Sequence, residues 1–180
     1  MNLNILWQIL ILIAFFFCSC ENQTEKYIKK WYNKNIHIPN DLSFYQWGTD
    51  SVNYEFQDSP YKMLVLLDTV ACISCQLRLD DWKRFITDMD SVSQGKITYL
   101  FAVHPVSKRE LHIELKNEEF NLPVCLDDAN FRKINDIPTK GTHVFLLNQM
   151  NRIICVGNPI ANRKIKDLYK RIFKNSYYEN

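Results

Sequence analysis

The chain is 180 residues long, 47% hydrophobic and 23% charged, with four glycines and six prolines. This is the composition of a folded domain with room for a targeting segment, and it excludes the disordered and fibrous classes. A net charge of +2 and a pI near 8.2 argue against nucleic acid as a partner. The cations are interleaved with carboxylates, so no basic stripe is expected.

The first feature in chain order is residues 5–17, ILWQILILIAFFF, apolar except for Gln8. A bilayer-spanning helix needs about 20 apolar residues. The run instead suits the apolar core of a secretory signal peptide, although MNLN supplies no basic side chain ahead of it. It ends in FFCSC, where the small Ser19 precedes Cys20. That ending resembles a bacterial lipoprotein signal, with Phe17 where such signals favour Leu. The resemblance implies that residues 1–19 are removed and Cys20 is lipidated. Acylation holds a protein on a bacterial membrane without a spanning helix. The alternatives are an uncleaved anchor or an ordinary cleaved signal. In each case the domain lies outside the cytoplasm, on the periplasmic face or the cell surface, where disulfides persist.

Of six cysteines, Cys18 leaves with the signal and Cys20 carries lipid, so Cys72, Cys75, Cys125 and Cys155 remain. Four are too few to staple a mini-domain, and the fold must stand on its own core.

Residues 20–30 are polar and read as a tether. Residues 31–59 form an aromatic, β-rich extension packed on the domain: NIHIP, LSFYQW and VNYEF alternate like short strands around a GTD turn. The domain proper spans 60–180. It opens with YKMLVLLDT, residues 61–69, a continuous apolar run expected of a strand buried on both faces. Leu79, Trp82, Phe85, Ile86 and Met89 then recur at helical spacing, predicting a helix from near Cys72 to just before Gly95. KITYLFAV is a second buried strand. Ser107 and Glu110 have capping-box spacing for a helix to about Glu119. LPVCLDD is a strand and DANFRKIND a short helix or turn. THVFLLN and RIICVGN form a hairpin, and Ile165, Leu168, Tyr169, Ile172 and Phe173 mark a C-terminal amphipathic helix. The order predicts an α/β sandwich with a mixed sheet.

The chemistry lies in Cys72-Ile73-Ser74-Cys75, at the junction of the first strand and the first long helix. Taken alone, CxxC allows a redox pair, half a metal site, or two cysteines close by chance. A zinc site would need a second ligand pair, and Cys125 and Cys155 stand singly in apolar strands, where thiols act as small buried hydrophobes. A Cys125–Cys155 disulfide stays open. Copper could take two cysteines with His143, since thiolates suit Cu(I). His104, at the end of a strand, is read as a loop histidine.

A strand running into CxxC and a helix resembles the thioredoxin fold. The element order of residues 60–174, including the hairpin VFLLNQMNRII, resembles extracytoplasmic TlpA- and ResA-type thiol–disulfide oxidoreductases, a redoxin-like group. The resemblance implies a three-layer thioredoxin-like sandwich, with a mixed central sheet flanked by helices. Cys72 is then the nucleophile and Cys75 the resolving thiol. A helix N-terminus would favour the Cys72 thiolate. The family's Trp before the first cysteine is Ala71 here, and its Pro after the second is Gln76. Its buried acid is replaced by Leu66, with Asp68 nearby. Its cis-proline position aligns with Thr142, four residues beyond Pro138; both are candidates to face the substrate.

The function implied is reduction of disulfides in exported proteins by a membrane-anchored protein, with a membrane thiol as electron donor. No cofactor, metal or nucleic acid is called for. Three alternatives remain: a non-catalytic thioredoxin-fold module that binds or supports a partner, a copper chaperone, and a peroxiredoxin-like peroxidase. The last is suggested by Thr69, three residues before Cys72, but lacks an assigned arginine.

Overall fold

The computed structural model describes residues 23–39, 41–69, 77–105, 107–126 and 130–175. In chain order the elements are α1 (Gln23–Trp31), β1 (Phe44–Gln46), β2 (Asp50–Val52), β3 (Tyr61–Thr69), α2 (Leu79–Ser93), β4 (Ile97–Pro105), α3 (Lys108–Asn117), β5 (Val124–Leu126), α4 (Asn130–Ile134), β6 (His143–Asn148), β7 (Ile153–Val156) and α5 (Arg163–Asn175). The chain divides into two units, Met1–Trp31 and Tyr32–Asn180.

In the first unit, the segment read as a polar tether is helical over its last eight residues, and the helix ends one residue on, at Trp31. Composition hid this, because its support is local. Glu25 and Lys29 pair at 3.1 Å with i,i+4 spacing, and the Lys30 ammonium lies 4.8 Å from the Trp31 ring centroid. Each such contact adds a few tenths of a kcal/mol to about 1 kcal/mol. No described helix is long and apolar enough to cross a membrane; the run 5–17 and Cys20 lie outside the described residues.

The second unit is built on a seven-stranded sheet in the order β2-β1-β5-β4-β3-β6-β7. β3, β4 and β5 are parallel, and β6 pairs antiparallel with β3. β3 sits between two neighbours and is buried on both faces, as its uninterrupted apolar run requires. Met63, Val65 and Leu67 join one cluster with Trp82, Phe85 and Met89 of α2, Leu111 and Leu115 of α3, and Tyr169 and Phe173 of α5. Strand side chains alternate between faces, so Leu64 and Leu66, also buried, belong to the other face. Lys62 is the polar exception: it is buried, its ammonium donates to the Gln149 carbonyl at 3.1 Å, and burial lowers its pKa.

Ser107 caps α3, accepting from the Glu110 amide at 3.3 Å, as its spacing predicts. The N-terminal extension contributes less strand than alternation suggests. β1 and β2 form a three-residue hairpin that adds to the edge at β5. Asn35 makes one isolated bridge, to Arg152. Residues 53–56 are held by side chains: the Tyr54 hydroxyl donates to the Tyr99 carbonyl at 3.0 Å, and the Phe44 and Phe56 rings pack at 5.5 Å.

α5 docks through Gly157. Its amide donates to Val144 O at 3.0 Å, and its carbonyl accepts the Tyr169 hydroxyl at 3.1 Å. Asp88 of α2 takes Lys166 at 2.8 Å and Lys170 at 3.0 Å, which pins α5 to α2.

The expectation that no basic stripe forms fails at α5. Its sequence RKIKDLYKRIFKN carries six cations against the carboxylate of Asp167. Apolar residues interrupt them in sequence more than acids do, Asp167 being the one carboxylate among them. Ile165, Tyr169, Ile172 and Phe173 pack into the core cluster, and the helical period gathers the cations on the remaining face.

Gly157 has φ of +127°, and a Cβ there would lie 3.1 Å from Ile165 Cδ1. Gly157→Ala should therefore cost about 1–3 kcal/mol in urea unfolding; an unchanged midpoint would refute this account of α5 docking. The two lysines, Lys166 first, hold the Asp88 carboxyl below its ordinary range. A depressed carboxylate pKa contributes stability above the unfolded value of about 3.9 and loses it as pH falls through the folded value. The pair is solvent-accessible and its contribution is small. Asp88→Asn should flatten the acid limb of the stability profile below about pH 4 and leave the neutral limb parallel to wild type.

Candidate functional site

The candidate site lies at the carboxyl end of β3. There Asp68 is in register with His104 of β4, and Thr69 with Pro105. β6 begins at the same end, with His143 opposite Leu66. Three segments of different sequence origin thus converge: the end of β3, the end of β4, and the loop that precedes β6. Cys72 and Cys75 fall within residues 70–76, outside the described residues. Connectivity alone ties them here, since Cys72 follows Thr69 by three positions and Cys75 precedes Leu77 by two. Leu77 is fully buried.

α2 opens at Leu79 and is broken from Leu77, itself helical, at Arg78; the predicted start near Cys72 lies outside the described residues. Arg78 adopts φ 47° and ψ 46°, a left-handed conformation through which no right-handed helix runs. Periodicity could not reveal this, because the apolar spacing from Leu79 onward is unaffected. Arg78 secures the junction. Its Nε donates to Asp81 Oδ2 at 2.7 Å and its Nη2 to the Ile160 carbonyl at 3.0 Å. It thereby ties the start of α2 to the β7–α5 loop. Beside this tie, a groove of about 590 Å³ runs between α2 and residues 159–163.

The loop before β6 holds Pro138 and Thr142. Pro138 is exposed and Thr142 half-buried, next to the first residue of β6. No peptide bond among the described residues is cis, Ile137–Pro138 included. Sequence reasoning missed what shapes this loop. Arg132, read only as part of a short helix, is 2% exposed. Its Nη1 donates to the Pro138 carbonyl at 2.7 Å and its Nη2 to Gly141 O at 3.5 Å. Its own carbonyl accepts from the Ile137 amide at 2.9 Å. His143 Nε2 donates to the Lys140 carbonyl at 3.1 Å, and its ring stacks on Phe145. The loop backbone is thus gripped by two buried side chains. The one signal in sequence was an arginine in a helix too short to need it.

Cys125 and Cys155 are free and buried. β5 and β7 are separated by β4, β3 and β6. Four strand spacings of about 4.8 Å put them roughly 19 Å apart, far outside disulfide reach. The open disulfide is excluded and the core role stands. Burial pushes the Cys155 thiol up to about 11, so it is inert near neutral pH. Among the described residues, no cluster of three His, Cys, Asp or Glu could hold a metal.

No family model matches the chain, and no curated protein does. Solved structures do. The thioredoxin domain of a thiol-disulfide oxidoreductase from Bacteroides vulgatus superposes with a TM-score of 0.57 at 8% identity, covering 78% of this chain and 98% of that one. A thiol:disulfide interchange protein from Bacteroides sp. gives 0.54 at 11%, covering 79% and 88%. A PrxQ mutant from Xylella fastidiosa gives 0.56 at 13%, covering 81% and 98%. The chain therefore has a thioredoxin-like fold, the fold of thiol-disulfide oxidoreductases.

Removing the clamp tests the loop. Arg132→Met should cost about 1.5–3 kcal/mol, the worth of a hydrogen bond from a charged donor. It should also speed hydrogen exchange across residues 137–142 while β3 and β4 stay protected. Unchanged exchange in that loop would show that Arg132 does not hold it.

Proposed function

We propose that the protein is a membrane-anchored thiol–disulfide oxidoreductase that reduces disulfides of exported proteins through Cys72 and Cys75. One observation carries the reading: CxxC follows directly on β3, the buried central strand of a thioredoxin-like sheet. Ligand chemistry in open α/β sheets concentrates at the carboxyl ends of the strands.

The chemistry is a pair of exchanges. The Cys72 thiolate attacks one sulfur of the target disulfide and expels the other as thiolate. Cys75 then attacks Cys72 Sγ, closes the Cys72–Cys75 disulfide and releases the second target sulfur. Two electrons pass to the target, and protons from the solvent neutralise its thiolates. A membrane thiol donor returns the pair to dithiol by the same exchange in reverse. Thr142, Pro138 and the clamped loop that carries them form the wall beside which the target chain lies. Lipidated Cys20 holds the domain at the membrane.

A second reading, a peroxidase, is favoured by the likeness to PrxQ and by Thr69 three residues before Cys72. There the Cys72 thiolate attacks peroxide, becomes a sulfenic acid, and condenses with Cys75 with loss of water.

A redox titration with thiol alkylation separates these readings. The expected result is one reversible two-electron couple between Cys72 and Cys75, towards the thioredoxin value of about −270 mV rather than the oxidant range near −120 mV. Cys125 and Cys155 stay unmodified until the protein unfolds. Cys72→Ser should lower insulin-disulfide reduction at least 100-fold. Thiol-dependent peroxide consumption exceeding disulfide reduction would favour the peroxidase. Absence of any reversible couple would leave a binding module on the same scaffold.

A further inference from the structure

We infer that the outer face of α5 is a docking surface for anionic lipid headgroups, which lays the domain against the membrane that holds it. The inference rests on the reading that Cys20 is a lipid anchor. α5 carries a net charge of five positive in a chain whose total is +2, which leaves −3 for everything else. The charge is therefore segregated, not merely basic. Within α5 the segregation is finer still. Lys166 and Lys170 turn inward to Asp88. Arg163, Lys164, Arg171 and Lys174 are exposed and share the face opposite the buried Tyr169 and Phe173 with the single exposed carboxylate of Asp167, a net charge of three positive. Leu168, beside them, is 37% exposed. A net-positive face over about 20 Å of helix, four cations around one carboxylate and flanked by one accessible apolar side chain, matches an anionic interface in charge and shape.

The length of chain ahead of the domain makes the surface count. Eleven residues separate Cys20 from Tyr32, the first residue of the second unit. Even fully extended they reach about 40 Å, and nine of them are helical, which shortens the reach further. Anchored by lipid, the domain cannot leave the neighbourhood of the headgroups. A weak attraction that would not hold a free protein is amplified by that effective concentration. Cationic side chains near an anionic leaflet each contribute about 1 kcal/mol, or roughly fivefold in partitioning.

The test uses the chain from Cys20 to Asn180 carrying Cys20→Ser, so that no acyl group contributes. Co-sedimentation is measured with vesicles of phosphatidylcholine alone and with 30% phosphatidylglycerol, where the percentage sets a roughly physiological anionic fraction. Binding to the anionic vesicles only, weakened by 0.5 M salt, is expected; the screening length falls to a few Å at that strength. Arg171→Glu with Lys174→Glu should reduce it at least 25-fold, while Arg171→Lys retains it. Thermal unfolding of each variant confirms that the fold is intact. Equal binding to both vesicles, indifference to the charge reversals, or tighter binding to duplex DNA or an acidic protein than to the anionic vesicles would overturn the inference. The mass of the mature N-terminus is measured separately. An unlipidated Cys20 would sink the anchor reading and leave the vesicle result standing by itself.

Discussion

Everything else in the second unit hangs on β3 lying between β4 and β6. A strand buried on both faces and paired along both edges has nowhere to slip. A one-residue shift would turn Met63, Val65 and Leu67 away from α2, α3 and α5 and present Leu64 and Leu66 in their place. Nine of its residues are in register against β4 and six, Tyr61 to Leu66, against β6, so the strand is fixed on both edges up to Leu66.

Two arginines help secure the surroundings of the carboxyl end of β3, beside the buried Leu77, Leu79 and Ile137. Arg78 takes a left-handed backbone between Leu77 and the first residue of α2, and its guanidinium reaches across to the Ile160 carbonyl. Arg132 grips the carbonyls of the loop ahead of β6 from beneath. A guanidinium offers several donors in a fixed fork, so one side chain can satisfy carbonyls on different residues. Two irregular loops that would otherwise present unpaired backbone groups are thereby given a single conformation.

Charge is organised on a larger scale than these contacts. The α5 helix holds more positive charge than the whole chain, and Asp88 spends itself on the inner two lysines. The outer cations are left to solvent or to a partner. Such a distribution does little for the stability of the monomer, since like charges on one face repel. It is more readily understood as recognition.

Sequence by itself determined the elements whose identity depends on local pattern. The continuous apolar run of β3, the helical recurrence from Leu79, the Ser107 cap, the β6–β7 hairpin and the α/β order were all legible, because burial periodicity is written residue by residue. It also singled out Cys72 and Cys75, by spacing and by position after a buried strand. Tertiary structure decided what depends on residues far apart meeting. It set Asp68 beside His104, brought Arg132 under the loop of Pro138 and Thr142, and separated Cys125 from Cys155 by the width of four strand spacings. It also wrapped the cations of α5 onto one face. None of these is encoded in a local window; each follows from sheet order and helix docking, which are fixed only when the whole core closes.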